Sequence, residues 1–250
     1  MLKGFSVIMP TYNQASFIRR AILSLQNQTY KQWELIIIND GCTDNTEEVL
    51  SDFFIDNRIR YIKNAENQGL GYALNQGLDA AFYDYIAYLP SDDFYYENHL
   101  EAMRTKYEAE RNLFLIFSCI MAGAKDSIIN NSTNTKRGLL PNHPLQLVQV
   151  THRKTTERWV ERKEWISEDL FQMFWRKLLK HGAFFKINEI TCHWTVHPYQ
   201  RHKILGEKYG GNLNYYRQYY QIKKPVKIKV SSQKTVDEIE IYKSFHKKHP

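Results

Sequence analysis

Three polar turns hold the side chains best suited to ligand chemistry: Pro10-Thr11-Tyr12-Asn13, Asn39-Asp40-Gly41 and Pro90-Ser91-Asp92-Asp93. A further acidic pair, Glu168-Asp169, and a histidine-bearing segment, Trp194-Thr195-Val196-His197, follow them. Carboxylates in such places can accept hydrogen bonds, hold hard divalent cations that prefer oxygen ligands, or take a proton from a reacting hydroxyl. Which of these they do depends on the elements that position them.

Each of the three turns comes just after a short apolar run: 5–9, 35–38 and 85–89. Short, continuously apolar runs are expected of strands buried on both faces, as in parallel sheets. Helix-like stretches separate them. Ile18, Ile22 and Leu25 have helical spacing, and Asp44-Asn45-Thr46-Glu47 resembles a capping box opening a helix with Val49, Leu50 and Phe53 inward. A strand over 59–62 leads through Asn64-Ala65-Glu66-Asn67-Gln68-Gly69 into a helix carrying Leu70, Ala73, Leu74, Gly77, Leu78 and Ala81. A helix near 97–110 and a strand over 113–117 complete an α/β alternation. Ligands of open α/β sheets bind beyond the carboxyl ends of the strands, the edge that holds all three turns.

The pattern from about 122 to 163 is polar and irregular, as expected of a lid or binding segment. Trp165-Ile166-Ser167-Glu168-Asp169 then opens an amphipathic helix with Leu170, Phe171, Phe174, Trp175, Leu178 and Leu179 on one side. A strand-like run over 183–187 and the segment 191–198 follow.

At 250 residues the chain can bury a sizeable core. No apolar run approaches the roughly 18 residues of a membrane span, and Met1-Leu2-Lys3-Gly4 reads as the lead into a strand rather than a signal peptide. Cys42, Cys119 and Cys192 are too widely spaced for a disulfide framework or a zinc site, so a reducing cytoplasm is the expected setting. The net charge of +7 lies mainly in the C-terminal half and suits anionic substrates, an acidic membrane surface or a merely solvated face. No nucleic-acid-binding signature accompanies it, so no nucleic-acid partner is expected.

Taken in order, 7–13, 38–44, Asn67-Gln68-Gly69, 89–93 and Glu168-Asp169 resemble the motifs of the GT-A family 2 glycosyltransferases over about residues 4–200. The resemblance implies an α/β, Rossmann-like fold: a mostly parallel sheet flanked by helices. It divides the chain into a catalytic domain over 1–200 and a basic, helical C-terminal extension over 201–250. It also implies an inverting transferase that moves a sugar from a nucleotide-diphosphate donor, UDP by family habit, to a glycan or lipid-linked acceptor in surface-polysaccharide assembly.

The resemblance further implies roles for individual residues. Pro10, Thr11, Tyr12 and Asn13 would line the donor pocket, with Tyr12 stacking on the base and Asp40 accepting a hydrogen bond from it. Asn67, Gly69, Ser91 and Asp92 would complete the donor site. Asp92, Asp93 and His197 would hold Mn²⁺ or Mg²⁺, with Asp92 favoured as the direct ligand, and Asp169 would act as catalytic base. The bland readings stand beside these: Asp40 as a turn residue before Gly41, and Asp92-Asp93 and Ser167-Glu168-Asp169 as helix starts. Pro90 and Thr195 depart from the pattern, standing where relatives carry an Asp and an Arg. His193 is a fallback ligand; His143 and His152 have no assignment.

The tyrosines and cations of 203–224 suit packing of a terminal helix, or peripheral docking at the inner face of a membrane. A catalytically silent nucleotide-sugar-binding or partner-binding subunit on the same fold is the alternative. A nucleotidyltransferase would need a Gly-rich, basic phosphate loop after the first strand, and the chain has Pro10-Thr11-Tyr12-Asn13-Gln14 there.

Overall fold

The strands β1 (Phe5–Thr11) and β2 (Trp33–Asn39) are buried along their whole length. Alternate side chains point to opposite faces of a strand, so these two runs feed two separate cores. Ile8, Ile36 and Ile38 enter one cluster, and Phe5, Val7, Met9, Leu35 and Ile37 enter the other. Each cluster needs a helical cover, and this requirement produces a doubly covered sheet.

A computed structural model describes residues 3–122, 127–129, 145–161, 170–197, 200, 227–229 and 235–237. Its further elements are α1 (Ala15–Gln26), α2 (Thr46–Ser51), β3 (Ile59–Lys63), α3 (Leu70–Ala80), β4 (Tyr85–Tyr88), β5 (Phe94–Tyr95), α4 (His99–Ala109), β6 (Leu113–Ala122), β7 (Ser127–Ile129), β8 (Val150–Arg153), α5 (Leu170–Leu178) and β9 (Ala183–Trp194). The main sheet runs β3-β2-β1-β4-β8-β6-β9-β5, with β7 paired to β6. The first four strands are mutually parallel, as are β6 and β9.

Helices α3 and α5 cover one face through Ala73, Leu74, Leu78, Leu170, Phe174, Trp175 and Leu178. Helices α1 and α4 cover the other through Ile18, Ala21, Ile22, Leu25, Leu100, Met103 and Tyr107. At roughly 25 cal/mol per Å² of buried apolar surface, this double cover is the main source of stability.

Five expectations need correction. The stretch read as irregular holds β8, which enters the sheet antiparallel between β4 and β6. Its Thr151 and His152 are fully buried polar residues, which hides the strand from an apolar pattern. Its hydrogen bonds satisfy those polar groups: Tyr88 OH donates to His152 Nε2 at 2.7 Å, and Thr151 Oγ1 donates to the Ile116 carbonyl at 3.4 Å. The run over 183–187 and the segment after it are one strand, β9, continuous through register shifts against β6.

The capping box at 44–47 is not formed. Asp44 accepts from the Thr46 N–H and hydroxyl, while Glu47 turns back to Asn39, Tyr61 and Lys63. Leu179, expected to face inward, is half-exposed in the 3₁₀ turn after α5. The described part of 201–250 is a pair of antiparallel strands, β10 (Lys227–Lys229) and β11 (Thr235–Asp237), and the expected helical extension otherwise lies outside the described residues.

Candidate active site

Loops after β1, β2 and β3 converge at the carboxyl edge. Asn13 sits in the left-handed region, φ 54°, one residue before the chain turns into α1. Its Oδ1 accepts from the backbone N–H groups of Thr43 (2.8 Å) and Asp44 (3.3 Å), and its own N–H donates to Cys42 Sγ. These bonds fasten the first turn to the second. Tyr12 projects from the fastened turn with 46% of its surface exposed, its ring open to a planar partner. Thr11 is buried beneath it. Burial raises the Cys42 thiol above its ordinary value, so it stays protonated near neutrality.

Asp40 is nearly enclosed, and the next loop explains why a carboxylate tolerates that. Its Oδ1 accepts from Asn64 Nδ2 (2.8 Å) and the Gln68 N–H (2.9 Å), and its Oδ2 accepts from the Gly69 N–H (2.8 Å). Donors to a buried carboxylate offset its desolvation. Asn67 Nδ2 also reaches the Asp40 carbonyl, at 3.3 Å. Gly41 has φ 74°, and a Cβ there would lie 2.5 Å from the Glu66 backbone, so close approach of the two loops demands glycine. Asp40 thus organises the loop that holds Asn67 and Gly69.

The acidic turn after β4 lies at the same edge. Asp92 Oδ2 and His197 Nε2 are 3.0 Å apart, and the imidazole stacks on Phe17 of α1 with centroids 4.3 Å apart. Ser91 is buried, and the turn closes with the Asp93 N–H donating to the Pro90 carbonyl at 3.0 Å. Asp93 Oδ1 accepts from the Thr195 N–H at 2.9 Å. Burial first, and the neighbouring Asp92 charge second, push the Asp93 carboxyl well above the usual carboxylate range.

The expected metal set is therefore only partly assembled. Among the described residues, no three His, Cys, Asp or Glu side chains are grouped to hold a cation. Asp92 and His197 do converge, and one oxygen and one imidazole donor suit Mn²⁺ when substrate phosphates complete the coordination. The residues present fit such an ion as a partial ligand set. His193 instead stacks on Phe94 at 4.6 Å, and His152 serves the buried Tyr88 network. Asp169, Glu168 and His143 lie outside the described residues.

Sequence reading missed what braces this turn. Arg20 Nη2 donates to the Asp92 carbonyl (2.8 Å) and to Thr195 Oγ1 (2.7 Å), and its guanidinium lies 4.7 Å from the Phe94 ring centroid. Ser24 Oγ accepts from the Tyr95 N–H, and Gln28 bonds the Tyr96 carbonyl and the Leu100 N–H. Phe17, Arg20, Ser24 and Gln28 recur at spacings of three and four, so one side of α1 and its C-terminal end faces the 92–100 segment. That periodicity was the available signal. A second missed brace is Asn75, whose amide exchanges hydrogen bonds with both backbone groups of Trp159, at 2.8 and 3.0 Å.

Comparison with known proteins agrees with this architecture. Residues 6–183 match the family model described as glycosyl transferase family 2. A Bacillus subtilis relative, TuaG, named as a candidate glycosyltransferase of teichuronic acid biosynthesis, is 34% identical over 122 residues, covering 48% of each chain. The matched stretch spans less than half the length of the curated relatives.

Among solved structures, S. aureus TarS 1-349 in complex with UDP-GlcNAc superposes with a TM-score of 0.68 at 16% identity, over 78% of this chain and 59% of that one. The mannosyltransferase PcManGT of Pyrobaculum calidifontis, in complex with GDP-Man and Mn²⁺, gives 0.62 at 14% identity, over 86% and 63%. At such identities these structures establish the shared GT-A fold. With the family model spanning well over half of the chain, from β1 to the start of β9, the protein belongs to glycosyl transferase family 2.

Proposed function

We propose that the chain transfers a sugar, with inversion, from a nucleoside diphosphate donor to a hydroxyl of a glycan or lipid-linked acceptor in surface-polysaccharide assembly. The observation that carries this reading is the convergence of Asp92 and His197, 3.0 Å apart, at the edge where Tyr12 is exposed and Asp40 organises its loop. Pro10, Thr11, Tyr12 and Asn13 form the wall against which the base stacks. Asn67 and Gly69 shape the opposite wall, and Ser91 and Asp92 face the diphosphate. UDP is the proposed carrier; TarS is seen with UDP-GlcNAc and PcManGT with GDP-Man.

Asp92 and His197 would hold Mn²⁺ or Mg²⁺, which when bound supplies neutralisation of charge on the departing diphosphate. Asp93, diverted to Thr195, supports the turn. The acceptor oxygen attacks the anomeric carbon as the bond from that carbon to the diphosphate oxygen breaks. Asp169 takes the acceptor proton. No helix among the described residues is long and apolar enough to cross a membrane; a lipid-linked acceptor would be met peripherally, at the cytoplasmic face.

The test is hydrolysis of UDP-sugars without acceptor. Slow release of UDP that requires Mn²⁺ or Mg²⁺ is expected from the wild-type chain and not from Asp92→Ala. Equal release by both would remove Asp92 from the site.

A further inference from the structure

The Asp92–His197 pair joins residues 105 positions apart in sequence. Asp92 sits in a tight turn after β4, and His197 lies three residues past the end of β9. β4 and β9 are not neighbours in the sheet, but β5, which starts just after Asp93, pairs antiparallel with the end of β9, Phe94 opposite His193. That short ladder brings the turn beside the strand end, and side chains around it set how Asp92 and His197 meet.

Beyond the ladder, one link is Asp93 Oδ1 accepting from the Thr195 N–H. The other is Arg20. A single guanidinium nitrogen of α1 donates to the Asp92 carbonyl on one side and to Thr195 Oγ1 on the other. The aromatic rings of Phe17 and Phe94 flank the guanidinium, with centroids 5.9 and 4.7 Å from it, which fixes its plane. Phe17 also stacks on His197. One turn of α1 therefore touches both halves of the pair, His197 through Phe17 and the Asp92 backbone through Arg20.

The charge is also suited to the place. Burial lowers the affinity of the Arg20 guanidinium for its proton, and the neighbouring Asp93 and Asp92 offset part of that effect. Arginine stays charged under all ordinary conditions. A permanent cation therefore lies beside the acidic Asp92-Asp93 turn.

We infer that Arg20 is a positioning residue for the candidate metal site: by bridging Asp92 and Thr195 it sets the separation of Asp92 and His197. This rests on the proposed function and deepens it. Groups that orient metal ligands from behind typically change metal affinity about 10- to 100-fold when removed. Arg20 touches neither the base nor the sugar in this reading, so its loss should act on metal affinity rather than on metal-free nucleotide affinity.

The experiment titrates Mn²⁺, followed by the electron paramagnetic resonance of the free ion, into wild type, Arg20→Met, Thr195→Val and the double variant, with UDP and with GDP present. Nucleotide affinity is measured in parallel without metal. Arg20→Met should weaken Mn²⁺ binding in the nucleotide complex about tenfold or more and leave metal-free nucleotide affinity unchanged. Thr195→Val should weaken it less, and the double variant no more than Arg20→Met. Thr195→Val keeps the guanidinium and its aromatic flanks, so it carries the test if Arg20→Met does not fold.

Wild-type Mn²⁺ affinity in both single variants overturns the positioning role and leaves the proposed function standing. Equal loss of metal-free nucleotide binding also overturns it, since the residue would then be a general support. A wild-type chain that binds neither nucleotide with Mn²⁺ removes the proposed function, and this inference with it.

Discussion

The Gly69 N–H donates to Asp40 Oδ2 at 2.8 Å, tying the start of α3 to the end of β2. The bond closes a set in which one buried carboxylate organises the whole 64–69 loop. Replacing Asp40 by Asn exchanges one accepting oxygen for an NH₂ that cannot accept from either Gln68 or Gly69. A buried donor left unpaired costs about 1–3 kcal/mol. Asp40→Asn should lose stability in that range in urea titrations, with weaker donor binding. Wild-type stability would mean that the loop holds itself.

Two buried histidines set the acid limit of the fold. His152 is held neutral with its pKa lowered to about 4, and His99 with its pKa lowered to about 3, in both cases by burial. In the unfolded chain an ordinary histidine takes up its proton near pH 6.5. The unfolded state therefore binds more protons as pH falls below 6.5, and stability drops until the folded values are reached. Each histidine should contribute a loss of about 3 kcal/mol between pH 7 and pH 4. Urea midpoints across that window, with the His152 ring signal followed by NMR, check the sign: a midpoint that holds or rises on acidification contradicts it.

Gly71 gives a steric prediction. A Cβ there would lie 1.9 Å from the Val160 carbonyl oxygen, where the 159–161 segment crosses α3. Asn75 anchors that same segment to the helix, so it has little room to retreat. Gly71→Ala should lower stability by about 1–3 kcal/mol, despite the better helix propensity of alanine. A raised melting temperature would show that the segment can move away.

The strands that place the candidate site were legible because β1, β2 and β4 are short, largely apolar runs that end at turn residues. The turns after them were legible because acids and an Asn-Asp-Gly stand where the apolar runs stop. β8 was not, because Thr151 and His152 are buried polar groups whose partners, Tyr88 and Ile116, are remote in sequence. Arg20 escaped for a related reason: its contact with Thr195 spans 175 positions, and the apolar stripe of α1 drew attention to the opposite side. The diversion of Asp93 was equally invisible, since two adjacent carboxylates look alike until a backbone N–H captures one of them.

Asp169→Asn tests the proposed base. General-base contributions are typically about 10²–10⁴-fold, so transfer to acceptor should fall by that factor. Donor binding should stay near wild type, because the base contacts the acceptor hydroxyl. Undiminished turnover removes Asp169 from the reaction.

Metal-dependent nucleotide binding is tested most directly by a thermal-shift panel of UDP, GDP, dTDP and CDP and their common sugar conjugates, each with and without Mn²⁺. A ligand that binds only the native state raises apparent stability by mass action, by about 2.7 kcal/mol at a hundredfold excess over Kd. Stabilisation by one nucleotide family, UDP foremost, that requires Mn²⁺ and is lost in Asp92→Ala is the expected result. No response to any of these ligands, or a response indifferent to both metal and Asp92, would contradict it.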